Sequence, residues 1–194
     1  MVSVKKKAVL LLGLSLIMAG QACPTRALEL AFQRDHFWGL LAGYGFQHTS
    51  WAKEVGEEVE LALFYPTLPL ASLLVGQAAV CLRFQGVLGT RTNGGGGIFA
   101  GGGPAIRVHY RPNGSVSPYL HFGAGVLYTD IDLNRMGTRE NFFEEAGTGL
   151  SLRLVRQVAI SCEYRMMHVS NASLSDENIG LNSHIVLIGA WHPF

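Results

Sequence analysis

The sequence predicts an all-β fold, an eight-stranded antiparallel transmembrane β-barrel of the outer-membrane kind. Three observations carry this expectation. Segments of roughly ten apolar and aromatic residues recur along the chain, each closed by turn chemistry, with no helical period between them. Along at least one of them apolar and polar side chains alternate strictly, as a wall between lipid and a polar lumen requires. The chain is also charge-poor (15% Asp, Glu, Lys and Arg) and holds 24 glycines. Beyond its N-terminus it shows no clean membrane-spanning helix.

The N-terminus sets the compartment. Lys5, Lys6 and Lys7 precede an uncharged apolar run from Ala8 to Gly20, and small residues follow at Ala19-Gly20-Gln21-Ala22. A positive start, an apolar segment short for a bilayer and small residues at its end describe a secretory signal peptide. Residues 1–22 are read as that signal, with cleavage after Ala22 or as late as Ala27, and residues 28–194 as one barrel domain. Cys23 lacks the upstream Leu that a lipoprotein signal would place before it.

The strands then follow in order: Phe37–His48, Glu58–Tyr65, Ala78–Leu88, Ile98–Tyr110, Val116–Thr129, Asn141–Leu152, Val158–His168 and Ser183–Phe194. The stretch Leu61 to Leu82 carries no charge and is long enough to span as a helix, but Pro66 and Pro69 interrupt it. Two prolines remove amide donors and force their predecessors extended, which favours a strand, a Pro-punctuated turn at Pro66–Pro69 and a second strand. The glycines of Asn93–Gly97 and Gly101–Gly103 are followed by no Lys-Ser or Lys-Thr. They read as a loop and a bending strand, not a phosphate cradle.

Fifteen basic against fourteen acidic residues give no footprint for nucleic acid. Cys23, Cys81 and Cys162 have no metal-ligand spacing. Pairing of Cys81 with Cys162 is open to an exported protein but not demanded, and two unpaired thiols are the favoured reading. The scattered histidines suggest interfacial or lumen packing, so neither a metal nor an organic cofactor is expected. Trp38, Trp51 and Trp191 sit near segment ends, as interface aromatics do. Glu140, Glu144 and Glu145 are assigned to a loop and the lumen, and Glu163 with Arg165 to a lumen ion pair.

Parity along the seventh segment places Val158, Ile160, Cys162, Tyr164 and Met166 on one face, and Gln157, Ser161, Glu163 and Arg165 on the other. Lipid takes the apolar set, and His168 and Ser170 continue it. With both termini periplasmic, the connection after this strand lies outside the cell, so His168 and Ser170 fall at the outer leaflet. Polar groups there are costly and call for a reason. A His and a Ser two apart on one face stand roughly 7 Å apart at Cα, within reach of an imidazole acting as base on a hydroxyl. Asn182, on the returning strand, could hold the ring. Asn178 and the amides near Asn171 and Ser173 could stabilise an oxyanion. The bland alternative is that such a pair meets interfacial water.

From Tyr164 to Asn182, the pattern Tyr-Arg-x-x-His-x-Ser-Asn-Ala-x-Leu-x-x-x-Asn-x-Gly resembles the C-terminal signature of the lipid A 3-O-deacylase (PagL) family. Further matches are Arg107-x-x-Tyr110-Arg111-Pro112, Pro118-Tyr119, Gly123-x-Gly125-Val126-Leu127-Tyr128-Thr129-Asp130 and Gly137-Thr138-Arg139-x-Asn141-Phe142. The resemblance implies an outer-membrane serine esterase that removes the ester-linked acyl chain at position 3 of lipid A. His168 would be its base, Ser170 its nucleophile and Asn178 an oxyanion donor, with Asn171 supporting the donors. Two departures stand out. The acidic third member of relatives falls at Asn182, and a loop glycine is replaced by Ser173. Asp176 or Glu177 could then supply an acid instead. The partners implied are lipopolysaccharide and other outer-membrane lipids, with a homodimer left open. The rival readings are a non-catalytic structural or adhesive barrel and a phospholipid acyl hydrolase.

Overall fold

A computed structural model describes residues 32–33, 37–47, 58–110, 115–131, 136–155 and 158–193. The expected signal peptide, Trp51 and Phe194 lie outside these residues. The strands are β1 (Phe32–Gln33), β2 (Phe37–Gln47), β3 (Glu60–Val75), β4 (Ala78–Arg91), β5 (Ile98–Tyr110), β6 (Val116–Thr129), β7 (Glu140–Val155), β8 (Val158–Ser170) and β9 (Leu181–Pro193). Each of β2 to β9 pairs antiparallel with the next, and β2 also pairs with β9, which closes an eight-stranded barrel. The short β1 pairs with β3 beyond the start of β2 and lengthens that first stave. Closure leaves no unpaired edge in lipid.

Connections alternate in length around the barrel. The strand ends that lead into the β3–β4, β5–β6 and β7–β8 connections lie at one rim, and those that lead into the longer β2–β3, β4–β5, β6–β7 and β8–β9 connections lie at the other. The long-loop rim is the extracellular one in outer-membrane barrels. The turn at Gly76-Gln77 needs glycine, because residue 76 has φ +58°.

The expected turn at Pro66–Pro69 is not there. β3 runs through both prolines to Val75: Pro66 pairs with Leu40 and Pro69 with Arg83, and the register with β4 shifts between Pro69 and Ala71. Proline's fixed φ suits an extended chain, and a bulge absorbs the missing donor, so only a ladder bond is lost. Those two residues punctuate a strand; they do not end it. The same segment excludes the spanning helix that its hydropathy allows.

The outer wall is apolar. Leu40, Phe64, Leu68, Phe84, Ile106, Leu120, Leu150 and Ile188 all face outward and are exposed in the isolated chain. The lumen is filled, not hollow. Toward the long loops it holds Val59, Leu61, Val87, Phe99, Leu127, Phe143, Val169 and Leu181. Further down it holds a charged cluster, with Arg107, Arg165 and Glu163 each no more than 2% exposed. The expected pairing of Glu163 with Arg165 is present, Nε donating to Oε2 at 2.9 Å. Trp191 corrects its assignment to the interface. It points inward, its Nε1 donates to Ser161 Oγ at 2.8 Å, and the guanidinium of Arg107 lies 4.1 Å from its ring centroid. Trp38 does face outward. Cys81 is buried and Cys162 exposed, on opposite faces of the wall, and no disulfide joins them.

Candidate active site on the lipid-facing wall

The strand register places the polar residues of the outer wall side by side. In β8 Ile160, Cys162, Tyr164 and Met166 are exposed, Ser161, Glu163, Arg165 and Met167 buried. His168 and Ser170 continue the outward set and are half-buried. On β9 the outward residues are Asn182, His184, Val186 and Ile188, which resolves a strand apolar on both faces. His168 pairs with Asn182 on β9 and with Glu144 on β7, and Glu144 pairs with Ala124 on β6. One row across the wall therefore reads Ala124, Glu144, His168, Asn182. The neighbouring row toward the loops contains Val126, Phe142 and Ser170.

Directly opposed residues in such a ladder have Cβ atoms about 5 Å apart, so side chains in one row touch or nearly touch. The His168 Nδ1 lies 2.9 Å from Asn182 Oδ1. With the amide oxygen toward the ring, Oδ1 can only accept, so Nδ1 carries the proton and Nε2 is left as a neutral acceptor. Among the described residues no hydrogen bond joins Ser170 to the ring; the two side chains share the outward face of β8, two residues apart. Asn182 Nδ2 is buried and has no hydrogen-bond partner among the described residues. Above the ring the chain returns through Gly180, φ +73°, where a Cβ would stand 3.0 Å from His168 Cε1. The glycine leaves room for the imidazole.

The loop of residues 171–180 is organised by Asn171, which is fully buried. Its Nδ2 donates to the Met136 and Glu177 carbonyls at 2.7 and 2.8 Å, and its Oδ1 accepts from the Ser173 amide at 2.9 Å. The Asn171 amide donates to Asn178 Oδ1 at 2.9 Å. The amides of Asn171 and Ser173 are thus already engaged inside the loop. The bond that Asn178 Oδ1 accepts ties its side chain to the residue after Ser170, which leaves its Nδ2 as a further donor in the loop. Ala172 lines a cleft together with Ser170 and was not singled out in the sequence. Its φ of 51°, followed by 66° at Ser173, makes a tight left-handed turn. Such angles suit the glycine that Ser173 replaces and cost about 1 kcal/mol in a residue with a side chain.

Asp176 and Glu177 are exposed in the loop, and the hydrogen bond that His168 makes is to Asn182. The assignment of Glu144 to loop or lumen is corrected. Glu145 is the lumen residue, and Glu144 points outward into the row beside His168. The strand parity of β7 hid this, because each face of Phe142-Phe143-Glu144-Glu145 offers one Phe and one Glu.

Two clefts meet at this row. One, of about 610 Å³, runs down the wall along Phe122, Ala124, Ala146, Met166 and His184. The other, of about 580 Å³, opens past Val126, Phe142, Ser170 and Ala172. Glu144, His168 and Ala124 line both. The small side chains of Ala124 and Ala146 recess the wall between larger neighbours. Behind it, Phe143, Met167, Val169 and Leu181 fill the lumen, each no more than 2% exposed. Access is therefore lateral, from the lipid side. Among the described residues no group of His, Cys, Asp or Glu is placed to hold a metal.

Comparison with the curated proteins found no match. Among solved structures, the chain is similar to the outer membrane enzyme PagL, with TM-score 0.63 at 18% identity over 79% of this chain and 97% of that one. It is also similar to Neisserial surface protein A, with TM-score 0.56 at 13% identity over 81% and 96%. At such identities these likenesses establish the eight-stranded outer-membrane barrel and no more. The family model of the lipid A 3-O-deacylases matches residues 79–191, which takes in β4 to β9 except for the first residue of β4 and the last two of β9, both clefts and the whole His168 row. With more than half of its length matched, this outer-membrane chain belongs to the lipid A 3-O-deacylase (PagL) family.

Proposed function

We propose that Ser170 is the nucleophile of this outer-membrane ester hydrolase, activated by His168 and acting on the 3-O-linked acyl chain of lipid A. The observation that carries the reading is the bond from His168 Nδ1 to Asn182 Oδ1, made on the lipid face beside Ser170. A partner on Nδ1 fixes the tautomer that leaves Nε2 free as a base, which is what a hydroxyl nucleophile needs.

The reaction runs in two balanced halves. Ser170 Oγ attacks the ester carbonyl carbon as His168 Nε2 takes the hydroxyl proton. The negative charge on the carbonyl oxygen is met by Asn178 Nδ2 and the Ala172 amide. The C–O bond to the sugar breaks, His168 returns the proton to the sugar oxygen, and the acyl group stays on Ser170. Water, deprotonated by the same imidazole, then releases the fatty acid and restores the serine. Acyl chains enter from the leaflet and lie in the apolar clefts, with the ester at the His168 row. Asn171 acts through the loop, holding Asn178 in place, and Ser173 shapes its turn.

Expressed in a Gram-negative host whose lipid A keeps its 3-linked chains, the protein should lower lipid A mass by one hydroxyacyl group and release the matching free acid. Fatty acid released from glycerophospholipid, with lipid A unchanged, would support a phospholipid hydrolase instead. Unchanged lipids from a correctly inserted barrel would favour a structural role.

Asn182 lends orientation but no charge. Asn182→Ala should lower turnover about 100-fold without impairing insertion, since the ring loses its fixed tautomer. Asn182→Glu should keep or raise activity near neutral pH. A carboxylate stabilises the imidazolium formed as Ser170 attacks, so the acid limb of the rate profile should move up in pH as free base is lost earlier. Unchanged turnover in Asn182→Ala, with loss in Asp176→Asn or Glu177→Gln, would transfer the third role to the loop.

A further inference from the structure

A carboxylate on the lipid-facing side of a barrel wall is expensive, and Glu144 is one. It sits directly across the ladder from His168, on the opposite side from Asn182. It lines both clefts, and its other neighbour in the row is Ala124, which offers it nothing polar. Meanwhile the group that holds the imidazole is a neutral amide, so the charge that develops on the ring has no countercharge at Nδ1. A serine hydrolase of this plan forms imidazolium at each transition state, and at the edge of a membrane that cation is poorly hydrated. The wall therefore contains a cation-forming ring without a carboxylate on its orienting side, and an otherwise unexplained carboxylate one strand away on the other.

Resting on the reading of His168 as base, we propose that Glu144 is a positioning residue whose carboxylate supplies the negative charge that Asn182 lacks, stabilising the His168 imidazolium across the β7–β8 ladder. The orienting and the charge-balancing roles are split between two residues that flank one ring. Cross-strand neighbours of this kind have Cβ atoms about 5 Å apart. A Glu side chain thus brings its charge close to the ring without needing to bond Nδ1 or block Nε2 from Ser170.

The other titratable groups near the ring are His184 on β9, Tyr164 on β8, and Asp176 and Glu177 in the loop. Tyr164 hydroxyl and His184 Nδ1 bond to each other, and His184 stacks on Phe46 at 5.4 Å between centroids, so both are engaged. Glu145 lies on the inner face and is engaged by Arg165, His121 and Gln85. Glu144 is the carboxylate on the same face and in the same row as His168.

The test is Glu144→Gln in the full-length protein, reading kcat and KM for acid release from lipopolysaccharide in detergent. Loss of the charge should lower kcat by about 10- to 100-fold with KM little changed. Glu144→Asp should retain most of the turnover, and Asn182→Glu placed in the Glu144→Gln background should restore it by returning the charge to the ring. A structural or substrate-binding role gives no such rescue. Absent rescue, or a change confined to KM or to acyl-chain preference, overturns the proposal. Ser170→Ala assayed alongside separates the two levels. If it is inactive while Glu144→Gln turns over at the parent rate, the inference about Glu144 alone is wrong; if it stays active, the nucleophile itself is misassigned.

Discussion

Ser170→Ala is expected to lower acyl release from lipid A by about 10⁴-fold or more while the barrel still folds and inserts. Base and nucleophile act as a unit, so deleting either loses nearly the whole of their effect, and what remains comes from binding and the oxyanion donors. The fold should tolerate the change. Ser170 is half-buried at the outer end of β8, and its backbone pairs with Phe142 whatever its side chain. Removing the hydroxyl strands no buried partner. His168→Ala should be as inactive, with one difference: Asn182 Oδ1 loses the partner it has at 2.9 Å. Lipid A mass together with the altered gel mobility of unboiled barrel separates lost chemistry from lost folding. Full deacylation by Ser170→Ala would move the nucleophile, with Ser173 the next hydroxyl in the loop.

The second large effect lies inside the barrel. Arg165 is fully buried and binds Glu163 through Nε at 2.9 Å, and Glu145 and Gln85 through Nη1 at 2.7 and 3.3 Å. Its guanidinium also lies 4.7 Å from the Tyr65 ring centroid. Arg165→Met keeps roughly the volume but leaves two carboxylates in the lumen with less countercharge. Arg107 still reaches Glu163, and His121 Nε2 still lies 2.7 Å from Glu145, so the compensation is partial. Breaking one side of a buried ionic cluster costs about 3–5 kcal/mol, and the urea midpoint in detergent should fall accordingly. Below that midpoint, deacylation should persist, because the cluster faces the lumen and the His168 row faces lipid. A midpoint equal to that of the parent protein would mean that water entering the lumen replaces the lost guanidinium.

Both predictions turn on which side of a thin wall a residue occupies, and the sequence settles that only in places. A strand's period of two fixes parity wherever the two faces differ in polarity. In β8 the apolar set Ile160, Cys162, Tyr164, Met166 against Ser161, Glu163, Arg165 is enough to turn His168 and Ser170 outward. The same rhythm of apolar segments and turns gives eight staves, with β5 and β6 matching the observed bounds residue for residue. Where both faces carry the same chemistry, parity is silent. β9 is apolar on both sides, so nothing in its pattern contradicts the interface role that Trp191's place near a segment end suggests, although the ring is buried in the lumen beside Arg107. In β7 the doubled Phe142-Phe143 and Glu144-Glu145 hide which carboxylate faces lipid. At Pro66 and Pro69 local chemistry points to a turn, but pairing on both sides of β3 outweighs two missing amide donors.

What the chain by itself determined is therefore the barrel, with an orientation expected from an even strand count and periplasmic termini, and a His and Ser sharing its outer face near a signature loop. What tertiary structure decided is register. Which residue of β9 meets His168, and which of β7, depends on closure of all eight strands and on a bulge far from the site. No single segment encodes how far it slides against its neighbour. That sliding brings Asn182 to one side of the imidazole and Glu144 to the other, two residues separated from each other by almost forty positions in sequence and by one strand in space.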